Sequence, residues 1–331
     1  MTAFIRRREF ITLLGGAAAA WPLAGRAQHA AMPVIGFLSA GNFDLLRDEV
    51  AAFGRGLQQI GYAEGQNIAV EYRWAEYRFD RLSGLAEELV RRQVAVIAAT
   101  GGDQSVVAAH SATATIPIVF TLGSDPIKLG LVRSLNRPGS NATGITQFTA
   151  ALEPKRLELL REAIPSASLI GVLLNPDQVS FETQVTEVQA AALNVGQQIS
   201  IVTARTESEI TAAFESLMQR SVGALLVASD PFFTRRREQI VALTARHAIP
   251  AIYQWRKFIS VGGLMSYGTD LSDAYHQVGI YAGRILKGEK PSQLPVVQAT
   301  KVELVINMKT ARTLGLTFPI TLLGRADEVI E

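Results

Sequence analysis

From Pro33 onward, short β-branched runs alternate with longer segments of helical period, and few folds accommodate that alternation. A strand that is apolar throughout its length must be covered on both faces, so the pattern predicts an α/β chain of parallel strands covered by helices. In the first half, strands are expected over 34–39, 68–72, 94–99 and 118–121, with helices over 45–60, 79–92 and 104–112. The cycle restarts with helices over 153–163, 182–194, 207–220 and 235–246 and strands over 169–174, 198–202 and 224–228. Two similar βα halves result. The turn-rich stretch 136–141 leads into 142–146, a predicted crossover, and 260–268 reads as a second crossover feeding a long helix over 271–286.

Residues 1–27 have the three parts of a secretory signal: Arg6-Arg7-Arg8, an apolar run from Phe10 to about Ala20, and small residues before a cut after about Ala27. The apolar run is too short to span a bilayer, and nothing later reaches about 18 uninterrupted apolar residues. Arg7-Arg8-Glu9-Phe10-Ile11 resembles the twin-arginine export signal, with Arg6 where Ser or Thr is usual and Thr12 where Lys is usual. That resemblance implies a periplasmic protein, exported by the twin-arginine or the general route.

The 331 residues carry a formal net charge of +2. Arg6, Arg7, Arg8 and Arg26 against Glu9 place +3 before residue 28, so the remainder carries −1. A dedicated nucleic-acid binder would show a clustered basic excess. The chain has no cysteine, which excludes disulfides, thiolate chemistry and a lipidated N-terminal Cys. The four histidines are scattered without metal spacing, and no phosphate loop, dinucleotide fingerprint or nucleophile elbow occurs. No cofactor, no metal and no catalytic residue is expected.

In open parallel sheets, ligands sit beyond the carboxyl ends of the strands. The candidate binding residues are therefore Ser39 and Asn42 after the first strand, Gly101 and Gln104 after the third, and Ser124 and Asp125 after the fourth. The second half adds Asn175, Asp230, Tyr253 and Tyr267. Asp125, Asp177 and Asp230 are equally suited to capping the helices or turns that follow them. Tyr253, Trp255 and Tyr267 fall at strand ends, where an aromatic ring can stack on a ligand.

The order Phe37-Leu38-Ser39-Ala40-Gly41, Gly123-Ser124-Asp125-Pro126-Ile127-Lys128-Leu129-Gly130, and Leu135-Asn136-Arg137-Pro138-Gly139-Ser140-Asn141 resembles the substrate-binding proteins of bacterial ABC transporters. Tyr281-Ala282-Gly283-Arg284-Ile285-Leu286-Lys287-Gly288 and Glu303-Leu304-Val305-Ile306-Asn307 continue the resemblance. The family includes members that bind tryptophan and tyrosine, to which the chain is similar. The resemblance implies a type I periplasmic-binding fold: two doubly wound parallel-sheet lobes joined by three crossovers, the third near 295–301. Lobe 1 would comprise 33–146 with 268–297, and lobe 2 would comprise 147–267 with 298–331. It also implies a monomer that closes on a small polar, amino-acid-like or aromatic solute and delivers it to a permease in the inner membrane. The amides of 101–105 would take a carboxylate, and Asp125 or Asp230 would take an ammonium group. A periplasmic ligand sensor and an enzyme on the same scaffold are the alternative readings.

Overall fold

The computed structural model describes residues 32–299 and 301–331. The expected signal segment and its cut after Ala27 lie outside the described residues. Two sheets organise the chain from Val34 onward.

The first sheet is built from β1 (Val34–Ser39), β2 (Ala69–Trp74), β3 (Val96–Thr100), β4 (Ile118–Leu122) and β5 (Ala142–Thr146). Its helices are α1 (Arg47–Gln59), α2 (Leu82–Arg91) and α3 (Asp103–Ala112). The chain then enters the second lobe through α4 (Glu153–Ala163), β6 (Leu169–Leu174), α5 (Phe181–Asn194), β7 (Gln198–Thr203) and α6 (Glu207–Gln219). After β8 (Ala224–Val227) come α7 (Pro231–Arg235), α8 (Arg237–Arg246), β9 (Ala251–Tyr253), α9 (Arg256–Ile259) and β10 (Met265–Thr269). Helix α10 (Leu271–Leu286) and β11 (Val297–Gln298) return to the first lobe. Strand β12 (Val302–Asn307), α11 (Met308–Thr313), α12 (Ile320–Leu323) and β13 (Glu328–Ile330) complete the second. The strand orders are β11-β5-β4-β3-β1-β2 and β13-β12-β10-β9-β8-β6-β7, so the chain passes between the sheets three times.

The alternation along each strand decides which layer a residue joins. Ile35 and Phe37 of β1 pack with Phe53, Leu57, Tyr275 and Val278 of α1 and α10. Leu38 faces the other way, into the layer of Leu82, Ala86, Leu89, Val106 and Ala109 from α2 and α3. The second sheet does the same: Val172 and Leu226 meet α4 and α5, whereas Leu173, Leu225 and Val227 meet α6 and α8. Both sheets are covered on two faces, as continuous apolar runs require.

Three features depart from the sequence reading. The 142–146 segment is a strand of the first sheet, paired with β4 from Ile118↔Ala142 to Leu122↔Thr146, and the crossover follows it. The 260–268 segment runs from the end of α9 into β10 of the second sheet, and the chain crosses only after Thr269. The sheets are also not wholly parallel, because β10 and β12 run antiparallel from Met265↔Ile306 to Thr269↔Val302. The chain reaches β12 from the first lobe rather than through a covering helix, so nothing compels a parallel entry.

A cleft between the two sheets

The cleft lies at the carboxyl ends of the strands, where both lobes contribute loops. Ser39, the last residue of β1, is buried, and its hydroxyl accepts the Gly41 N–H at 3.2 Å. This tight turn leaves room for Gly101 and Gly102, which follow β3 with φ of 77° and 142°. A Cβ on Gly101 would stand 2.3 Å from the Ser39 hydroxyl, and one on Gly102 would stand 2.8 Å from Pro231 of the other lobe. Both positions thus need glycine for backbone conformation and for close approach.

The cavity encloses about 90 Å³. From the first lobe it is lined by Gly101, Gly102 and Asp103 after β3, by Thr121 to Ser124 at the end of β4, and by Gln147 and Thr149 after β5. The second lobe supplies Gln178, Ser180 and Gln184 after β6, Ser229 to Pro231 and Thr234 after β8, and Trp255 after β9. Leu46, Tyr77, Leu271 and Tyr275 complete the lining from the first lobe. A second chamber of about 270 Å³ lies behind, walled by Asp48, Glu49, Lys257, Thr269 and Glu303, and shares Trp255 and Leu271 with the first.

Three buried carboxyl groups govern the electrostatics. Asp103 accepts the Gly123 N–H at 2.8 Å and the Ser124 hydroxyl, and burial raises its pKa. Asp230 is the N-cap of α7, accepting the Phe233 N–H at 3.0 Å, and takes amide hydrogens from Asn175 at 3.1 Å and Gln178 at 3.3 Å. Burial pushes it up to about 6 against those donors. Glu153, at the first residue of α4, lies behind the cleft and accepts the Ser229 N–H at 3.1 Å and the Gln184 side-chain amide at 3.2 Å. Burial pushes it up to about 7, opposed by the Arg156 guanidinium at 4.0 Å. No Lys, Arg or His lines the cavity among the described residues, so Asp103 and Asp230 face it without a cation.

Of the residues expected from sequence, the structure brings Gly101, Ser124 and Asp230 to the cavity wall. Ser39 and Asn175 stand directly behind it, bonded to Gly41 and Asp230. Gln104 spans the lobes: its side-chain amide donates to Gln178 Oε1 at 2.7 Å and to the Asp177 carbonyl at 3.4 Å. Asn42 accepts the Leu45 N–H and Asp125 accepts the Ile127 N–H at 2.8 Å, both as local turn caps outside the cavity lining. Tyr253 is fully buried in the second lobe, stacked on Phe258 at 4.5 Å with its hydroxyl on Thr244. Tyr267 packs against the other face of that sheet, and its carbonyl accepts the Arg156 Nε.

The two tyrosines miss the cavity because a residue within a strand points along the sheet normal into a layer. Thr121 and Leu122 at the end of β4 and Trp255 past the end of β9 reach the cleft instead. Gln147, Gln178 and Gln184 were not singled out from sequence. Gln184 lies one turn inside α5, where nothing local distinguishes it from a surface glutamine.

Comparison with known proteins now places the chain. The model of the ABC transporter substrate binding protein family matches residues 34–330. The chain belongs to that family. Among curated family relatives, a tyrosine-binding protein of Clostridioides difficile (strain R20291) is 28% identical over 264 residues, covering 80% of this chain and 75% of the relative. A solved structure described as an ABC domain in complex with L-Trp from Streptococcus pneumoniae superposes with a TM-score of 0.82 at 26% identity, covering 91% of this chain and all of that one. A conserved domain protein from Vibrio cholerae gives 0.84 at 25% identity, covering 90% of this chain and 99% of the other. The fold is that of the type I periplasmic binding proteins.

Proposed function

We propose that this chain is the exported substrate-binding component of an ABC importer and captures an α-amino acid with an aromatic or large apolar side chain for a membrane permease. The observation that carries this reading is the charge inventory of the cleft, with Asp103 and Asp230 buried and no lining cation among the described residues. A buried carboxylate without a counter-charge is costly, and a ligand ammonium group supplies one. We assign the ammonium group to Asp230; the donors on both carboxylates are neutral, so their hydrogen bonds leave the charge uncompensated.

The ligand carboxylate needs donors rather than a second cation. The first turn of α3 starts at the cavity without a side-chain cap, and the Thr121 hydroxyl and Gln147 Nε2 are buried donors with no partner. Leu46, Leu122, Pro231, Leu271 and Trp255 supply apolar surface for a side chain. The tyrosine- and tryptophan-bound relatives are consistent with this chemistry. The segment ahead of Met32 would direct export, and among the described residues no helix is long and apolar enough to cross a membrane.

The test is thermal unfolding of residues 28–331 against amino acids, aromatic acids, nucleosides and sugars. A ligand at 100-fold its Kd adds roughly 2.7 kcal/mol and raises the Tm by several degrees. Tyrosine, tryptophan or phenylalanine is expected to do so. Stabilisation by sugars or nucleosides alone would overturn the amino-acid reading and leave a binding protein of another cargo.

A further inference from the structure

Gln184 is 1% exposed and lines the cavity, and both hydrogens of its side-chain amide are already committed. The nitrogen donates to Glu153 Oε1 at 3.2 Å and to the Ser229 carbonyl at 3.1 Å, while Oε1 is buried without a partner. The amide cannot be reversed, because its oxygen would then face two acceptors and its nitrogen would lose both bonds. A buried acceptor left without a donor is costly, so a cavity that retains one fits a donor brought by the ligand. The Ser229 carbonyl that fixes the amide is joined directly to the backbone nitrogen of Asp230, the residue carrying the unpaired negative charge.

Resting on the amino-acid reading above, we propose that Gln184 is the specificity-determining acceptor for the ligand's amino group, held in that orientation by Glu153 as a positioning residue. An ammonium group offers three hydrogens in a tetrahedral array. Asp230 neutralises its charge, and the Gln184 carbonyl takes a second hydrogen. Glu153 reaches no ligand; one oxygen holds Gln184 and the Ser229 N–H, and Arg156 stands 4.0 Å from it. Arg156 is itself tied to the Tyr267 carbonyl through Nε at 2.8 Å, which fixes this pair to β10.

The experiment is calorimetric titration of the protein with L-tyrosine and with N,N-dimethyl-L-tyrosine, whose ammonium retains a single hydrogen. The unaltered protein is expected to prefer L-tyrosine by at least 30-fold. In Gln184→Met, of similar size but without the acceptor, that preference should fall about tenfold, and the two-ligand ratio cancels general packing damage. Glu153→Gln keeps an oxygen for the Ser229 N–H and for Gln184, so it should retain the preference. Glu153→Leu leaves only the Ser229 carbonyl to hold the amide and should lose part of the preference. An unchanged preference in Gln184→Met, with L-tyrosine still bound by the unaltered protein, overturns the assignment. Where L-tyrosine does not bind, the amino acid that stabilises the protein in the thermal screen and its N,N-dimethyl derivative replace the two probes; stabilisation by no amino acid removes the amino-acid reading, and the assignment with it.

Discussion

At the level of single residues, Asp230 does two jobs that a sequence reading sets against each other. It caps α7 through one oxygen, and the other oxygen, held by Asn175 and Gln178, belongs to the cavity wall. Its pKa near 6 sets a pH window. An ammonium ligand needs the ionised form, so affinity for L-tyrosine should be level above about pH 6.5. Below about pH 6 it should fall about tenfold per pH unit, as isothermal titration between pH 5 and 8 would show. Asp230→Asn should cost at least 2 kcal/mol of binding and flatten that profile. The unliganded protein should respond in the opposite sense. Asp230 and Glu153 both bind protons more readily folded than unfolded, so folding stability falls as pH rises through about 4 to 7. A Tm that rises from pH 7 to pH 5.5, and rises less in Asp230→Asn, is the expected record.

Between elements, the closest packing in the first lobe is where α1 crosses α10. A Cβ on Gly279 would stand 2.1 Å from the Phe53 carbonyl, and one on Gly56 would stand 2.0 Å from the His276 carbonyl. Gly279→Ala must push two helices apart and should lose about 1–3 kcal/mol in urea unfolding. Gly54, on the same α1, has open space at its Cβ, and Gly54→Ala should gain up to about 1 kcal/mol through helix propensity. Such pairs of opposite sign expose what the sequence can and cannot say. Periodicity marks where α1 and α10 lie, and the bounds 153–163, 169–174 and 271–286 are those of α4, β6 and α10. Nothing in the 3.6-residue period distinguishes a glycine against a neighbouring carbonyl from one facing water. The same limit hides Gln184, whose meaning depends on Glu153 and Ser229, 31 and 45 residues away. The loop positions Gly101, Ser124 and Asp230 were legible because the ends of parallel strands are fixed by topology. Tyr253 does end β9 but faces the layer of Phe258, and the face that a strand's last residue takes is not set by its place in the sequence.

On the scale of the whole molecule, the lobes are held together by contacts within the chain itself. Gln104 reaches Gln178 and Asp177, Lys257 reaches the buried Glu49 at 2.8 Å and the Leu45 carbonyl at 3.0 Å, and the Arg235 guanidinium lies over the Tyr77 ring at 5.1 Å. Lys257→Met leaves Glu49 buried without its partner, a penalty that opening of the cleft relieves. Small-angle scattering of the unliganded variant should show a larger radius of gyration, and its affinity for L-tyrosine should fall about tenfold as the closed population shrinks. Unchanged scattering would assign the closed arrangement to the other contacts.

Trp255 and Leu271 stand between two chambers of different make-up. On one side lie Asp103, Asp230 and the side-chain amides of Gln147, Gln178 and Gln184; on the other, about 270 Å³ of further room walled by Asp48, Glu49, Lys257 and Glu303. Replacing the indole by a smaller group lengthens the chamber without touching Asp103, Asp230 or those amides. On the proposed reading, a longer cargo admitted by that change would meet Asp48, Glu49, Lys257 and Glu303 at its far end, so cargo length and the polarity of that end change together.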